Sequence, residues 1–109
     1  MSYALEKLSL AIDELAVGEG DIKSRLRSVF PSLSAVSVGD FPDDLKKNWE
    51  SIIHRLTKKE ATNKGSEYDE GNFEATIFCM HKQTAVKIAT DIVNIRSRLE
   101  DHVADGWVK

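Results

Sequence analysis

Only one cysteine, Cys79, occurs in the 109 residues, so no intrachain disulfide can form and a bridge-stapled framework is excluded. No run approaches the ~18 uninterrupted apolar residues of a membrane span. The opening Met1-Ser2-Tyr3-Ala4-Leu5-Glu6-Lys7 lacks the basic start and apolar stretch of a signal peptide. These absences lead to the expectation of a reducing, cytoplasmic location and no membrane partner. An excess of one charge is missing too. The net charge is −3, which gives no overall electrostatic case for nucleic acid or an anionic membrane surface. Nor are there internal repeats or low-complexity segments.

The motifs that carry chemistry are also lacking. There is no G-x-S-x-G, P-loop or G-x-G-x-x-G pattern, and Gly18-Glu19-Gly20 follows no strand that would make it a phosphate cradle. The three histidines belong to no H-E-x-x-H or Cys/His ligand spacing. We therefore expect no catalytic set, no metal and no cofactor.

What the chain does have is helical periodicity. It is 41% hydrophobic and 30% charged, an ordinary globular balance, and its length fits one domain over residues 1–109. From Phe73 to Val103 there is neither Pro nor Gly. The positions Phe73, Ile77, Met80, Thr84, Ile88, Ile92, Ile95, Leu99 and Val103 recur every three or four residues, which places them on one helical face. A single rod of that length would rise about 45 Å. Beside this stripe runs a second apolar line, Phe78, Ala85, Val86, Ala89 and Val93. A helix coated over so much of its circumference must be enclosed by the other helices or must meet a second chain.

Three shorter helices precede it. Leu5, Leu8, Ile12 and Leu15 predict an amphipathic helix over Ser2–Val17, with Gly18 as the glycine just past its end. Asp21 is a good N-cap for a second helix carrying Ile22, Leu26, Val29, Phe30 and Leu33. Pro31 should end or kink it near Val29–Phe30. Ser32–Asp40 reads as irregular chain. Pro42 opens a third helix, with Asp43 and Asp44 at the positive end of its dipole and Leu45, Trp49, Ile52, Ile53 and Leu56 on one face. The apolar pattern then stops from about residue 59 to 71, predicting a long loop. There the charge switches from +4 over residues 46–64 to −4 over residues 65–80. A tail at 104–109 includes Trp107, which either docks on the bundle or stays free. The fold predicted is all-α: an antiparallel four-helix bundle with a long C-terminal helix.

For function, the surplus apolar surface points to a protein–protein interaction or regulatory module without catalysis, a homodimer or the partner of another protein. Its candidate contact residues are Phe78, Ala85, Val86, Ala89 and Val93. The alternative is a nucleic-acid-binding regulator using the exposed Lys46, Lys47, Arg55, Lys58 and Lys59 of the third helix. Asp43, Asp44 and Glu50 on the same helix oppose that reading. Glu50 and His54, four apart, should face water as a pair; His81 should be a partly buried, hydrogen-bonded residue; His102 sits at a helix end near Asp105; Cys79 lies away from the main stripe.

Overall fold

The computed structural model describes residues 3–18, 20–58 and 69–107. They form five α-helices, α1 (Tyr3–Val17), α2 (Ile22–Ser34), α3 (Asp43–Thr57), α4 (Asp69–Cys79) and α5 (Lys82–Ala104), with a short 3-10 turn at Val38–Asp40. The architecture is all-helical and bundle-like, and the long α5 packs against α1, α2 and α3.

α1 buries Ala4, Leu5, Leu8, Ala11 and Leu15, one stripe at helical spacing. The turn into α2 differs from expectation in which glycine is left-handed. Gly18 does not adopt positive φ; Gly20 does, at +88°. Gly18 is instead needed for close approach, because a Cβ there would lie 2.5 Å from the Glu14 carbonyl oxygen that accepts the Gly18 N–H. Arg25 clasps the turn from α2, donating to the carbonyls of Gly20 and Leu15 at 3.0 Å each. Asp21 caps α2 as expected, its Oδ1 accepting the Ser24 N–H at 2.9 Å.

Pro31 does not end α2, which continues to Ser34. The proline forgoes one ladder bond on an exposed face, where water can serve the carbonyl. Continuing the helix keeps Val29, Phe30 and Leu33 in one buried row. The usual penalty of about 3 kcal/mol for an interior proline is comparable to what burying one or two such side chains contributes. In the irregular segment that follows, Val36 and Phe41 are buried core residues that no periodicity marks. Trp49 organises them: its Nε1–H donates to the Val36 carbonyl at 3.3 Å, and its ring stacks on Phe41 with centroids 5.0 Å apart.

The predicted single rod is two helices. α4 begins at Asp69, inside the stretch expected to be loop, and ends at Cys79. His81 is extended (φ −73°, ψ 148°) and caps α5, whose first bond runs from the Ala85 N–H to the His81 carbonyl at 3.1 Å. An unbroken rod would also far outrun its neighbours. Helices of 13 to 15 residues rise only about 20 Å, so a 45 Å rod would have run half its apolar face past them into water. Breaking it lets α4 turn back onto α2 and α3, where Phe73 stacks on Phe30 with ring centroids 3.9 Å apart. In α5 the expected stripe holds at Ile88, Ile92, Ile95 and Leu99, but Ala85 takes the place of Thr84, which is exposed.

α3 and α5 run antiparallel. Asp44, near the start of α3, meets His102 at 3.0 Å and Arg98 at 3.8 Å, while Arg55 near its end meets Asp91 at 2.7 Å. α5 closes in a Schellman arrangement around Gly106 (φ +103°), with Trp107 N–H to His102 C=O at 2.9 Å and Gly106 N–H to Val103 C=O at 3.0 Å. Trp107 docks on the core. The expected loop over residues 59–68 and the last two residues of the tail lie outside the described residues.

Candidate functional site

The five residues expected to form a contact surface separate into two groups. Ala85 is wholly buried in the chain's own core, and Ala89 is partly buried against it. Phe78, Val86 and Val93 are exposed, at 81%, 49% and 42%. Three further residues join them from α1: Tyr3, Leu10 and Val17 are each about half or more exposed. Their spacing of seven puts them in one line along the helix, opposite Ala4, Leu8, Ala11 and Leu15.

α1 and α5 are neighbours, joined by a hydrogen bond from Arg96 Nε to Ser9 Oγ at 3.2 Å. Asp21 shows their relative direction. Its carboxyl is held below the usual range first by the Ser24 backbone N–H and hydroxyl, and then by the charges of Lys82 and Lys23. Lys82 opens α5 and Asp21 lies just beyond the end of α1, so the two helices are antiparallel. Val17 thus falls at about the level of Val86, and Leu10 at about the level of Val93. Phe78 adds to the same end, since its carbonyl accepts from Lys23 Nζ at 3.3 Å. Of the seven large apolar side chains exposed among the described residues, five lie on α1 and α5 and a sixth at the end they share.

Two residues of the basic stripe of α3 are paired within the chain. Lys46 pairs with Asp43 at 2.9 Å and Arg55 with Asp91 at 2.7 Å. Lys47 and Lys58 are exposed, and Lys59 lies outside the described residues. Beside this stripe a polar valley of about 700 Å³ runs between α3 and α5, lined by Asn48, Ser51, Arg55, Asp91, Asn94 and Arg98 among others. Its ion pairs cancel most of the charge it presents.

The histidines are scattered. His54 and Glu50 are exposed, as their helix positions require. His81 is exposed rather than partly buried, because the helix it was expected to sit within is broken there. His102 finds Asp44 across the α3–α5 seam, a tertiary contact that neighbouring sequence could not reveal. Cys79 is exposed at the end of α4, beside a hollow of about 230 Å³ shared with Lys58, Thr76 and His81. Among the described residues, no group of three or more His, Cys, Asp or Glu side chains is placed to hold a metal ion. None of their helices is long and apolar enough to cross a membrane.

Compared with known protein families, with characterised proteins and with solved structures, the chain matches none of them.

Proposed function

We propose that this chain is a small helical interaction module, without catalysis of its own, that pairs with a second copy through the outer face of α1 and α5. The observation that carries the reading is the exposure of Tyr3, Leu10 and Val17 on α1 and of Val86 and Val93 on its neighbour α5. Buried stripes in this protein step by three and four, whereas both exposed lines step by seven. A seven-residue repeat is the spacing that keeps two helices in register at a shallow crossing angle. Charge supports a crossed arrangement. The exposed side of α1 carries Glu6, Asp13 and Glu14, and α5 opens with the exposed Lys82 and Lys87, so α1 of one copy suits α5 of the other. A reducing compartment suits the exposed thiol of Cys79.

The magnitude is modest. Covering half of one such apolar side chain is worth about 1 kcal/mol, so six from each of the two copies together supply roughly 12 kcal/mol. Association itself costs about 4 kcal/mol or more, which makes the pair weak, in roughly the micromolar range. Sedimentation velocity over a hundredfold concentration series should show a monomer–dimer equilibrium. Leu10→Glu and Val93→Glu should each shift it to monomer while leaving the thermal midpoint within a few degrees. A monomer at every concentration, or dimers indifferent to both substitutions, would refute the reading.

A further inference from the structure

A cleft of about 370 Å³ lies between the last turns of α2, the 3-10 turn and α3, away from the α1–α5 face. Its floor is Phe30, Val36 and Trp49, all buried, and its walls are Val38 and Ile53. A mostly apolar hollow of this volume with a few polar groups at its mouth matches the general character of small-molecule sites. We infer that it takes a small aromatic amine: a flat apolar body seated between Val38 and Ile53 above the buried Trp49, with a protonated nitrogen directed to Glu50.

Two independent observations set that chemistry. Among the described residues lining the cleft, Glu50 is the one of fixed charge, and none is Lys or Arg. A cation therefore meets complementary charge and an anion does not. The hydrogen-bond inventory points the same way. Thr57 Oγ donates to the Ile53 carbonyl at 2.8 Å, and Ser34 Oγ donates to the Pro31 carbonyl at 3.1 Å. The Trp49 indole N–H is given to Val36. With those protons committed, what Ser34, Thr57 and Glu50 still offer is lone pairs, which only a donor can use. His54, whose ring offers a donor or an acceptor according to its tautomer, stands one turn beyond Glu50 at the rim. The wall is held before any ligand arrives, because Asp40 Oδ2 accepts from both the Ser37 N–H at 2.9 Å and the Ser37 hydroxyl at 3.1 Å, fixing the turn that carries Val38.

Phenethylamine and 3-phenylpropionate, alike in shape and opposite in charge, test the inference on the full chain. Titration of phenethylamine followed by amide NMR should give saturable shifts at Val36, Val38, Glu50 and Ile53. An affinity of about millimolar is what so small a ligand reaches. In a Trp107→Phe background, the Trp49 emission should change in parallel. 3-Phenylpropionate should bind about two- to fivefold more weakly, and Glu50→Gln should erase that preference, as expected for one exposed ion pair. Val38→Phe fills the cleft from an exposed turn position and should abolish the shifts without lowering the thermal midpoint. No saturable shift at any of the four amides, shifts confined to other residues, or equal binding of the two ligands to the unsubstituted chain would each overturn the inference.

Discussion

Replacing His81 with proline tests the central architectural finding, that the chain between Phe73 and Val103 is two helices and not one. In an unbroken helix that residue would be interior. Proline there would remove a ladder bond and drive its ring into the preceding turn, at a cost of about 3 kcal/mol or more. In the structure His81 is the N-cap of α5, with φ −73° and ψ 148°. Proline's ring fixes φ near −65°, so the substitution asks for almost no movement. The protein already places Pro42 at the equivalent position of α3, with φ −64° and ψ 157°. The His81 side chain is exposed and gives α5 no side-chain cap bond, so little is lost with it. Restricting the unfolded chain at a compatible site contributes about 0.4–1 kcal/mol of stability. For a domain of this size each kcal/mol moves the thermal midpoint by roughly 4–8 °C. The two architectures therefore predict opposite signs: a rise of a few degrees for the broken arrangement, a fall of about 12 °C or more for the rod. Circular-dichroism melts of the two proteins at equal concentration separate these outcomes. A fall of that size would refute the two-helix description and with it the register assigned to α5.

Two further substitutions test the α1–α2 turn. Gly18→Ala should destabilise by about 1–3 kcal/mol in urea unfolding, the range for a small-to-large clash, because its Cβ would meet the Glu14 carbonyl at 2.5 Å; a neutral result would mean that the turn relaxes freely. Asp21→Asn keeps a capping oxygen and removes the titration. Since the folded carboxyl is held below its ordinary value by the Ser24 donors, its stabilising share is complete above about pH 4 and is lost as pH falls through the lowered folded value. The stability difference between the native chain and Asp21→Asn should thus be flat from pH 5 to 7 and change only in acid; a difference that instead varies across neutral pH would point to another group.

Much of the fold can be read from short-range signals. α1, α2 and α3 each combine a stripe at three-and-four spacing with a local stop or start, and Asp21 caps α2 through atoms three residues apart. The break at His81 has no such mark. No Pro or Gly interrupts Cys79-Met80-His81-Lys82, and the three-and-four pattern runs straight through it. What accompanies the break is tertiary: α4 packs on α2 and α3 instead of extending α5. The same holds for Val36 and Phe41, which lie in irregular chain and are buried because Trp49 folds over them. Charged residues were legible as exposed but not as partners. Arg55 read as a free cation until Asp91, thirty-six positions away in sequence, came within 2.7 Å. The outer line of α1 is a different case, since its signal was present. Tyr3, Leu10 and Val17 stand seven apart, but each falls outside the buried stripe and so passed as the scattered apolar residues any surface carries.

That spacing also separates the two surfaces on which function is proposed. The α1–α5 face is built from side chains pointing away from the core, so Leu10→Glu and Val93→Glu change what a second copy meets without opening a cavity. The cleft is built differently: buried Phe30, Val36 and Trp49 lie beneath it, and Val38 and Ile53 form its accessible apolar walls. No residue is shared between them, and substitutions with no shared partners act almost independently. A chain carrying Leu10→Glu should therefore become monomeric and still take up phenethylamine with shifts at Val38 and Ile53, while Val38→Phe should lose the amine and still form dimers. Loss of both properties in either variant would indicate that the fold itself had given way, and the unchanged thermal midpoint required of each variant guards against that reading. Loss of amine binding in Leu10→Glu at an unchanged midpoint has one remaining structural meaning: the cleft is completed by the second copy, and the two surfaces are a single site.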